Sequence, residues 1–400
     1  MRIIVIDTEI SGDLIGGAQL FLPGLLNGLL KRGHEVYFVT RGEANEKVRR
    51  KIDATGAKVY SNLWDPIMLV DDAAPVFSKW VNKLQPDVFL ISTSADVGWV
   101  VLPLLDPKIA TLSVSHSDAD TYYLPLRHYS FFVTRAVGVS NQVCDQLQLV
   151  SQMNSEAIDW IPYGVTPMAN PPHSELSRAL GPLRIVYVGR LAEEHKRVSD
   201  LGRIAVELTK RNIEYSFVII GDGPMMPALR LVLDEEVRRG KVQLLGWLDS
   251  EKLLDHLRHS EISLLVSETE GFPIALVEAM ANGCTPVVTD IKSGNKQLVE
   301  DGVNGFLVPM GNVEAFADKI EFLASDREKL MEFRRKAWET GRKYSSEQMV
   351  ENYERCFERA VAEARVSPRT ADAQFPLMES CRSKYPLWLR RIKAKVVGRK

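Results

Sequence analysis

The sequence is poor in cysteine, in long apolar runs and in surplus charge of either sign. Its four cysteines (Cys144, Cys284, Cys356, Cys381) are scattered, and none forms a Cys-x-x-Cys pair. That excludes a zinc knuckle or a disulfide framework and reads as reduced thiols in a reducing compartment. No apolar run approaches the roughly 18 residues of a spanning helix, so a membrane is met only from its surface. Fifty Lys and Arg against 52 Asp and Glu leave a net charge of −2, which argues against a nucleic-acid binder. The opening Met1-Arg2-Ile3-Ile4-Val5-Ile6 reaches Asp7 after four apolar residues. That core is too short for a secretory leader and suits a first strand. The glycines do not form G-x-G-x-x-G, so no dinucleotide fingerprint is present. No internal repeat or low-complexity tract appears. A cytoplasmic protein is expected, with any membrane contact peripheral and at the inner face.

What is present is alternation. With 400 residues, 45% hydrophobic, the chain exceeds what one core supports, and two domains are expected. Short runs rich in β-branched residues alternate with helical patterns: Ile3–Ile6, Val36–Val39, Val88–Ile91 and Ala110–Val114, then Ile185–Val188, Phe217–Ile220, Val242–Leu245, Ile262–Val266, Pro286–Val288 and Phe306–Val308. Such runs predict parallel strands buried on both faces. The fold class expected is α/β: two tandem doubly wound, Rossmann-like domains facing a cleft, with a helical C-terminal segment. The first domain spans 1–165. A linker with Pro167, Pro171, Pro172 and Pro182 covers 166–182. The second domain spans 183–342, a helix at 343–365 crosses back to the first domain, and 366–400 form a basic tail.

The most informative segment runs from Ser267-Glu268-Thr269-Glu270-Gly271-Phe272-Pro273-Ile274 to Glu278-Ala279-Met280-Ala281. Gly271 allows a tight turn and close approach of a ligand to the backbone. A helix opening at Phe272–Ile274 offers unpaired N–H groups and its positive dipole end to a phosphate-like anion. Pro273 suits the first turn, where its missing N–H costs nothing. Glu278 falls about two turns after Glu270, so both carboxylates can face one cleft. Each can accept charge-assisted bonds from sugar hydroxyls, worth about 1.5–3 kcal/mol. In Gly189-Arg190-Leu191, with Lys196 beyond, two fixed positive charges follow a strand and suit a diphosphate. Gly16-Gly17-Ala18-Gln19 lets backbone approach phosphates after the first strand. His116 follows the strand Ala110–Val114. Gly221-Asp222-Gly223-Pro224 and Leu245-Gly246-Trp247 form two further strand-end loops. Asp118-Ala119-Asp120 spells D-x-D, a short pattern common by chance.

The segment from Glu270 to Glu278 resembles the Glu-x7-Glu signature of retaining GT-B glycosyltransferases, family 4 in particular. The resemblance runs from Ile3 to about Arg342. It implies a metal-independent enzyme that moves a sugar from a nucleotide-diphosphate donor, a UDP- or GDP-sugar, to an acceptor hydroxyl with retention. The acceptor would be a glycan, a polysaccharide or a lipid-linked sugar, and no cofactor or metal is needed. It implies that Glu278 binds the donor ribose, that Glu270 lies against the donor sugar, and that backbone at Gly271, Phe272, Pro273 and Ile274 faces sugar and phosphates. Gly189, Arg190 and Lys196 resemble the family's diphosphate site, although Arg197 stands where the family often has Gly. Gly16 and Gly17 resemble the loop that closes over the donor from the acceptor-side domain. His116 takes the place of a His that contacts the transferred sugar, and Gly246 the place where backbone meets the nucleobase. Ile161-Pro162-Tyr163-Gly164-Val165 resembles the hinge, with Tyr163 replacing Asn.

Two other readings remain: a GT-B-like sugar-nucleotide epimerase and a non-catalytic sugar-nucleotide-binding protein. The tail also keeps alternatives. From Arg382 to Lys400 it holds eight Lys and Arg and no acid, with Trp388, Ile392 and Val396 at helical spacing beside Leu389. It reads as an interfacial anchor on anionic lipid, a frayed basic tail, or a helix docked on the other domain.

Overall fold

A computed structural model describes residues 1–7, 17–40, 46–61, 63–64, 68–92, 96–172, 181–292, 294–372, 374–376 and 378. The chain divides into two compact units, Met1–Pro162 with Met349 onward, and Tyr163–Gln348. Both expected doubly wound sheets are present.

In the first unit the apolar runs become β1 (Arg2–Ile6), β2 (Glu35–Thr40), β3 (Lys58–Ser61), β4 (Val88–Ile91), β5 (Ala110–Ser115), β6 (Arg135–Gly138) and β7 (Ile158–Trp160). They form a sheet of order β3-β2-β1-β4-β5-β6-β7, and every pairing is parallel. Residues 3–6 and 88–90 are fully buried, because helices cover both faces of a parallel sheet. In the second unit β8 (Leu183–Val188), β9 (Tyr215–Ile220), β10 (Val242–Gly246), β11 (Ile262–Leu265), β12 (Thr285–Thr289) and β13 (Phe306–Val308) pair in parallel, in the order β10-β9-β8-β11-β12-β13. Strand order reverses between β1 and β4 in one unit and between β8 and β11 in the other. Loops leaving such a switch point splay apart, which opens a crevice at the carboxyl ends of the strands.

The C-terminal helix Ser346–Val366 packs on the first unit from Met349 onward. A Cβ on Gly28 would lie 2.3 Å from Val350 Cγ2, so only glycine lets helix Gly17–Lys31 come this close. Glu354 accepts from Arg32 (2.7 Å) and from His34 Nε2 (2.8 Å). Deeper, buried Arg135 donates to Asp159 at 2.6 Å and pairs with Glu363 of the helix. Asp159 also accepts from Arg359 and, at 3.2 Å, from the Cys356 thiol. Burial alone would raise the Asp159 pKa, but Arg135 and Arg359 overcome that and hold it low. Among the described residues no helix is long and apolar enough to cross a membrane.

This cluster gives a direct stability test. Arg135→Ala leaves Asp159 buried with less cation around it and should cost about 3 kcal/mol in urea unfolding. A loss below about 1 kcal/mol, the scale of an exposed pair, would contradict the buried-network reading.

Candidate active site

The second unit gathers most of the expected site residues around its switch point. Gly189 and Arg190 leave β8, and Ser267 through Gly271 leave β11, its neighbour in the sheet. Close backbone packing sets the first loop. Gly189 N–H donates to Ile220 O (3.0 Å), Leu191 N–H to Asp222 O (2.9 Å), and Gly221 N–H to Gly246 O (2.8 Å). A Cβ on Gly221 would lie 1.8 Å from the Gly189 carbonyl oxygen, and its φ of +142° is one that side chains rarely adopt. Gly246 ends β10 with φ +70°, beside a register shift.

The loop carrying Lys196 then turns onto the loop carrying Glu270. Glu268 N–H donates to the His195 carbonyl at 3.0 Å. His195 Nδ1 lies 3.2 Å from Thr269 Oγ1. These contacts present Lys196 Nζ to Glu270 Oε1 at 2.5 Å, with the Glu270 side chain only 10% exposed and the Lys196 side chain 23%. Beneath them Tyr187 is fully buried, and its hydroxyl donates to the Arg190 carbonyl at 3.3 Å. Burial drives the Tyr187 pKa upward; the Glu270 charge adds to the shift and Arg190 opposes it. Arg190 itself is exposed.

The signature helix spans Ile274–Ala281, with Pro273 as its N-cap in extended conformation. Pro273 thus stands one residue before the first turn, and its carbonyl accepts from Leu276 (3.0 Å) and Val277 (3.1 Å). Gly294 N–H holds the Gly271 carbonyl at 3.1 Å. A Cβ on Gly294 would meet Pro273 Cδ at 2.9 Å, so the neighbouring loop lies flush against this turn. The Phe272 ring is buried between Tyr163 (6.2 Å) and Tyr344 (5.4 Å), which leaves its main chain as the part that can serve a ligand. Glu270 lies in the loop before the helix. Glu278 is on its second turn, half-buried.

In the first unit His116 follows β5. Its Nε2 donates to the Ser92 carbonyl, so Nδ1 is the unprotonated nitrogen. Its ring packs on Phe21 (5.0 Å) and Tyr122 (5.8 Å). Burial lowers its pKa to about 4 against the Ser92 hydrogen bond, and the imidazole is neutral at pH 7. Asp118 of the D-x-D pattern accepts from Tyr123 (2.9 Å) and Gln142 (2.6 Å), one bond on each carboxylate oxygen. Gly17 opens the first helix, while Gly16 lies outside the described residues.

Two family models divide the chain between them. The Glycosyltransferase Family 4 model matches residues 15–168, and the Glycosyl transferases group 1 model matches 173–342. The chain belongs to the family 4-like GT-B glycosyltransferases. An uncharacterized glycosyltransferase of Haemophilus influenzae is 25% identical over 365 residues, 84% of this chain and 95% of that protein. Alpha-D-kanosaminyltransferase of Streptomyces kanamyceticus is 35% identical over 144 residues, 36% of this chain and only 37% of its own length. The pneumococcal O-GlcNAc transferase GtfA, solved with UDP and GlcNAc, superposes with a TM-score of 0.74 at 15% identity, over 90% of this chain and 99% of that one.

In this glycosyltransferase the loop carrying Lys196 has a backbone cost at Arg197. Arg197 takes φ 48° and His195 φ 64°, the left-handed region that glycine occupies freely. Arg197 is held there by its own pair with buried Asp200 (3.0 Å) and by the Glu193 carbonyl, which accepts its N–H at 2.9 Å. His195 and Thr269, which clasp the two loops, are missed by sequence reasoning because their meeting depends on β8 lying beside β11. The only signal was position: both sit next to motif residues.

Both Arg197→Gly and Arg197→Ala remove the Asp200 pair, but only the alanine keeps the left-handed strain. The glycine variant should be the more stable by about 1 kcal/mol in urea unfolding. Equal stability, or a more stable alanine, would contradict the strained loop.

Proposed function

We propose that this glycosyltransferase takes a sugar from a nucleoside-diphosphate donor, UDP-sugar first and GDP-sugar next, and passes it to an acceptor hydroxyl with retention and without a metal. The observation that carries the reading is the Lys196–Glu270 pair beside the N-terminus of the signature helix. An ammonium and a helix start suit a diphosphate, and a carboxylate suits sugar hydroxyls. In the structure the two neutralise each other. Diphosphate binding would draw Lys196 away and free Glu270 to accept from the sugar. The ion pair is thereby exchanged for two ligand contacts, and neither charge is stranded at any stage.

During reaction the bond from the anomeric carbon to the diphosphate oxygen breaks and the bond to the acceptor oxygen forms. Arg190, Lys196 and the helix N-terminus stabilise the negative charge gathering on the leaving diphosphate. The acceptor proton passes to the departing phosphate oxygen. A covalent intermediate needs a carboxylate at the anomeric carbon. Glu270, once released by Lys196, would be taken up by the sugar hydroxyls and not by the anomeric carbon, which favours attack from the front face. His116, held neutral by burial, would contact the transferred sugar. The nucleotide choice is supported by the pneumococcal relative solved with UDP and GlcNAc. A glycan, polysaccharide or lipid-linked acceptor remains the proposed partner.

The test is release of nucleoside diphosphate from UDP- and GDP-sugars, with and without glycan acceptors. Glu278→Ala should raise the donor KM about tenfold to a hundredfold, the equivalent of one charge-assisted bond. Lys196→Ala should lower kcat about a hundredfold or more, since it acts on charge that develops in the transition state. EDTA should leave the rate unchanged. Wild-type kinetics in both variants, or strict dependence on added metal, would sink the assignment.

A further inference from the structure

Among the described residues five that are not glycine take a positive φ. Three of them have an ordinary local cause, the end of a helix. Gln85 and Gln152 are left-handed C-caps, and Asn212 follows the cap of helix Ser199–Lys210. The other two, His195 (φ 64°) and Arg197 (φ 48°), end no helix and stand on either side of Lys196. Left-handed backbone at such residues persists only where surrounding contacts over-determine it. Glycine takes the same turn without strain, as Gly246 (φ 70°) and Gly311 (φ 74°) do in the same unit. It has no side chain, however, with which to bond across a loop.

Both flanks of Lys196 make such bonds. On one side the His195 carbonyl accepts from Glu268 N–H at 3.0 Å, and the ring Nδ1 lies 3.2 Å from Thr269 Oγ1. Two carboxylates face the same ring: Glu268 Oε1 stands 3.8 Å from Nδ1, and Glu194 Oε1 stands 3.6 Å from Nε2. On the other side Arg197 N–H donates to the Glu193 carbonyl at 2.9 Å, and its guanidinium pairs with buried Asp200 at 3.0 Å. The Glu193 carboxylate closes that turn by accepting from the Ser199 N–H (3.1 Å) and hydroxyl (2.7 Å). The guanidinium also rests against the loop after β13, where a Cβ on Gly311 would lie 2.9 Å from Arg197 Nη2. Lys196 thus sits between two pinned turns. The Glu270 that it meets belongs to the same loop that His195 holds at Glu268 and Thr269.

We propose that His195, clasped by Thr269, is a positioning residue for Lys196, and that its strained turn serves turnover and lowers the stability of the fold. His195 and Thr269 are both exposed, where a hydrogen bond or ion pair adds little stability. Their contact therefore does little for the fold, while the backbone at His195 works against it. What the turn does supply is direction. A left-handed residue folds the chain back where an extended one would carry it onward. Lysine is a point charge on a flexible stem, so its place is defined only as well as its backbone is. A shift of about 1 Å in a group that acts on the transition state can cost a hundredfold in rate. The inference rests on the reading that Lys196 serves the donor diphosphate, and adds to it the residue that places the lysine.

The experiment measures melting temperature, with kcat and donor KM for nucleoside diphosphate release from UDP- and GDP-sugars, in full-length variants. His195→Gly removes the clasp together with the strain. It should melt no lower than wild type, yet lose about tenfold in kcat with donor KM changed less than about twofold. Thr269→Val keeps the strain but removes the hydroxyl and should lose a similar factor, whereas Thr269→Ser should turn over as wild type does. The double variant His195→Gly with Thr269→Val should be no slower than the slower single variant, because the two side chains act as one contact. The inference is overturned if His195→Gly keeps wild-type kcat, or if it melts lower in step with its loss of rate, which would make the clasp merely structural. A raised KM with kcat intact overturns it as well, since His195 would then be a donor contact. Lys196→Ala separates the two readings. If it keeps wild-type kinetics, the donor reading falls and this inference falls with it. A slow Lys196→Ala beside an unaffected His195→Gly sinks this inference alone.

Discussion

Lys196 and Glu270 stand 74 residues apart in sequence and meet at 2.5 Å. They meet because β8 and β11 are neighbours at the point where the sheet reverses its order, and because the loops leaving those strands have no room to go elsewhere. Gly189, Gly221 and Gly223 close the space on one side; Cβ atoms on the latter two would strike the carbonyls of Gly189 and Leu191. Gly294 closes it on the other. A positive and a negative charge are thereby held together at the start of a helix whose dipole favours an anion. Everything proposed for the donor follows from how that pair responds when a diphosphate arrives.

The first unit contributes differently. His116 is buried and neutral, so it suits a role as a fixed hydrogen-bonding group and not as a titrating base near pH 7. The unit also carries the C-terminal helix, tied by Arg135, Asp159 and Glu363, and beyond it Arg369, which donates to the carbonyls of Phe132, Ile109, Asp106 and Leu102. Arg135 and Asp159 are costly burials of charge. The common effect of these contacts is to tie the C-terminal helix and Arg369 to the first unit.

Much of the fold was legible because parallel strands buried on both faces leave unbroken apolar runs, and Ile3–Ile6 in β1 and Val88–Ile91 in β4 read that way directly. The edge and near-edge strands β3, β6 and β7 were not, since Lys58–Ser61, Arg135–Gly138 and Ile158–Trp160 are short and carry charged residues. The motif residues of the second unit could be named from spacing, and the switch point gathers them. What spacing could not reveal was contact. That Lys196 pairs with Glu270, that Phe272 turns into the core, that Arg197 adopts a glycine-like backbone, and that Arg369 finds four carbonyls are all tertiary facts. They depend on which strands neighbour one another, and no local pattern records that.

The central claim is that Glu270 competes with the donor diphosphate for Lys196 until the donor arrives. Calorimetric titration of UDP and GDP into wild type and Glu270→Gln tests it most directly, because a nucleoside diphosphate brings phosphates without a sugar. The account predicts that one nucleotide binds both proteins and binds the glutamine variant a few-fold tighter, as removal of a partly buried competing charge requires. Equal or weaker binding by the variant, or no binding of either nucleotide to wild type, would contradict it.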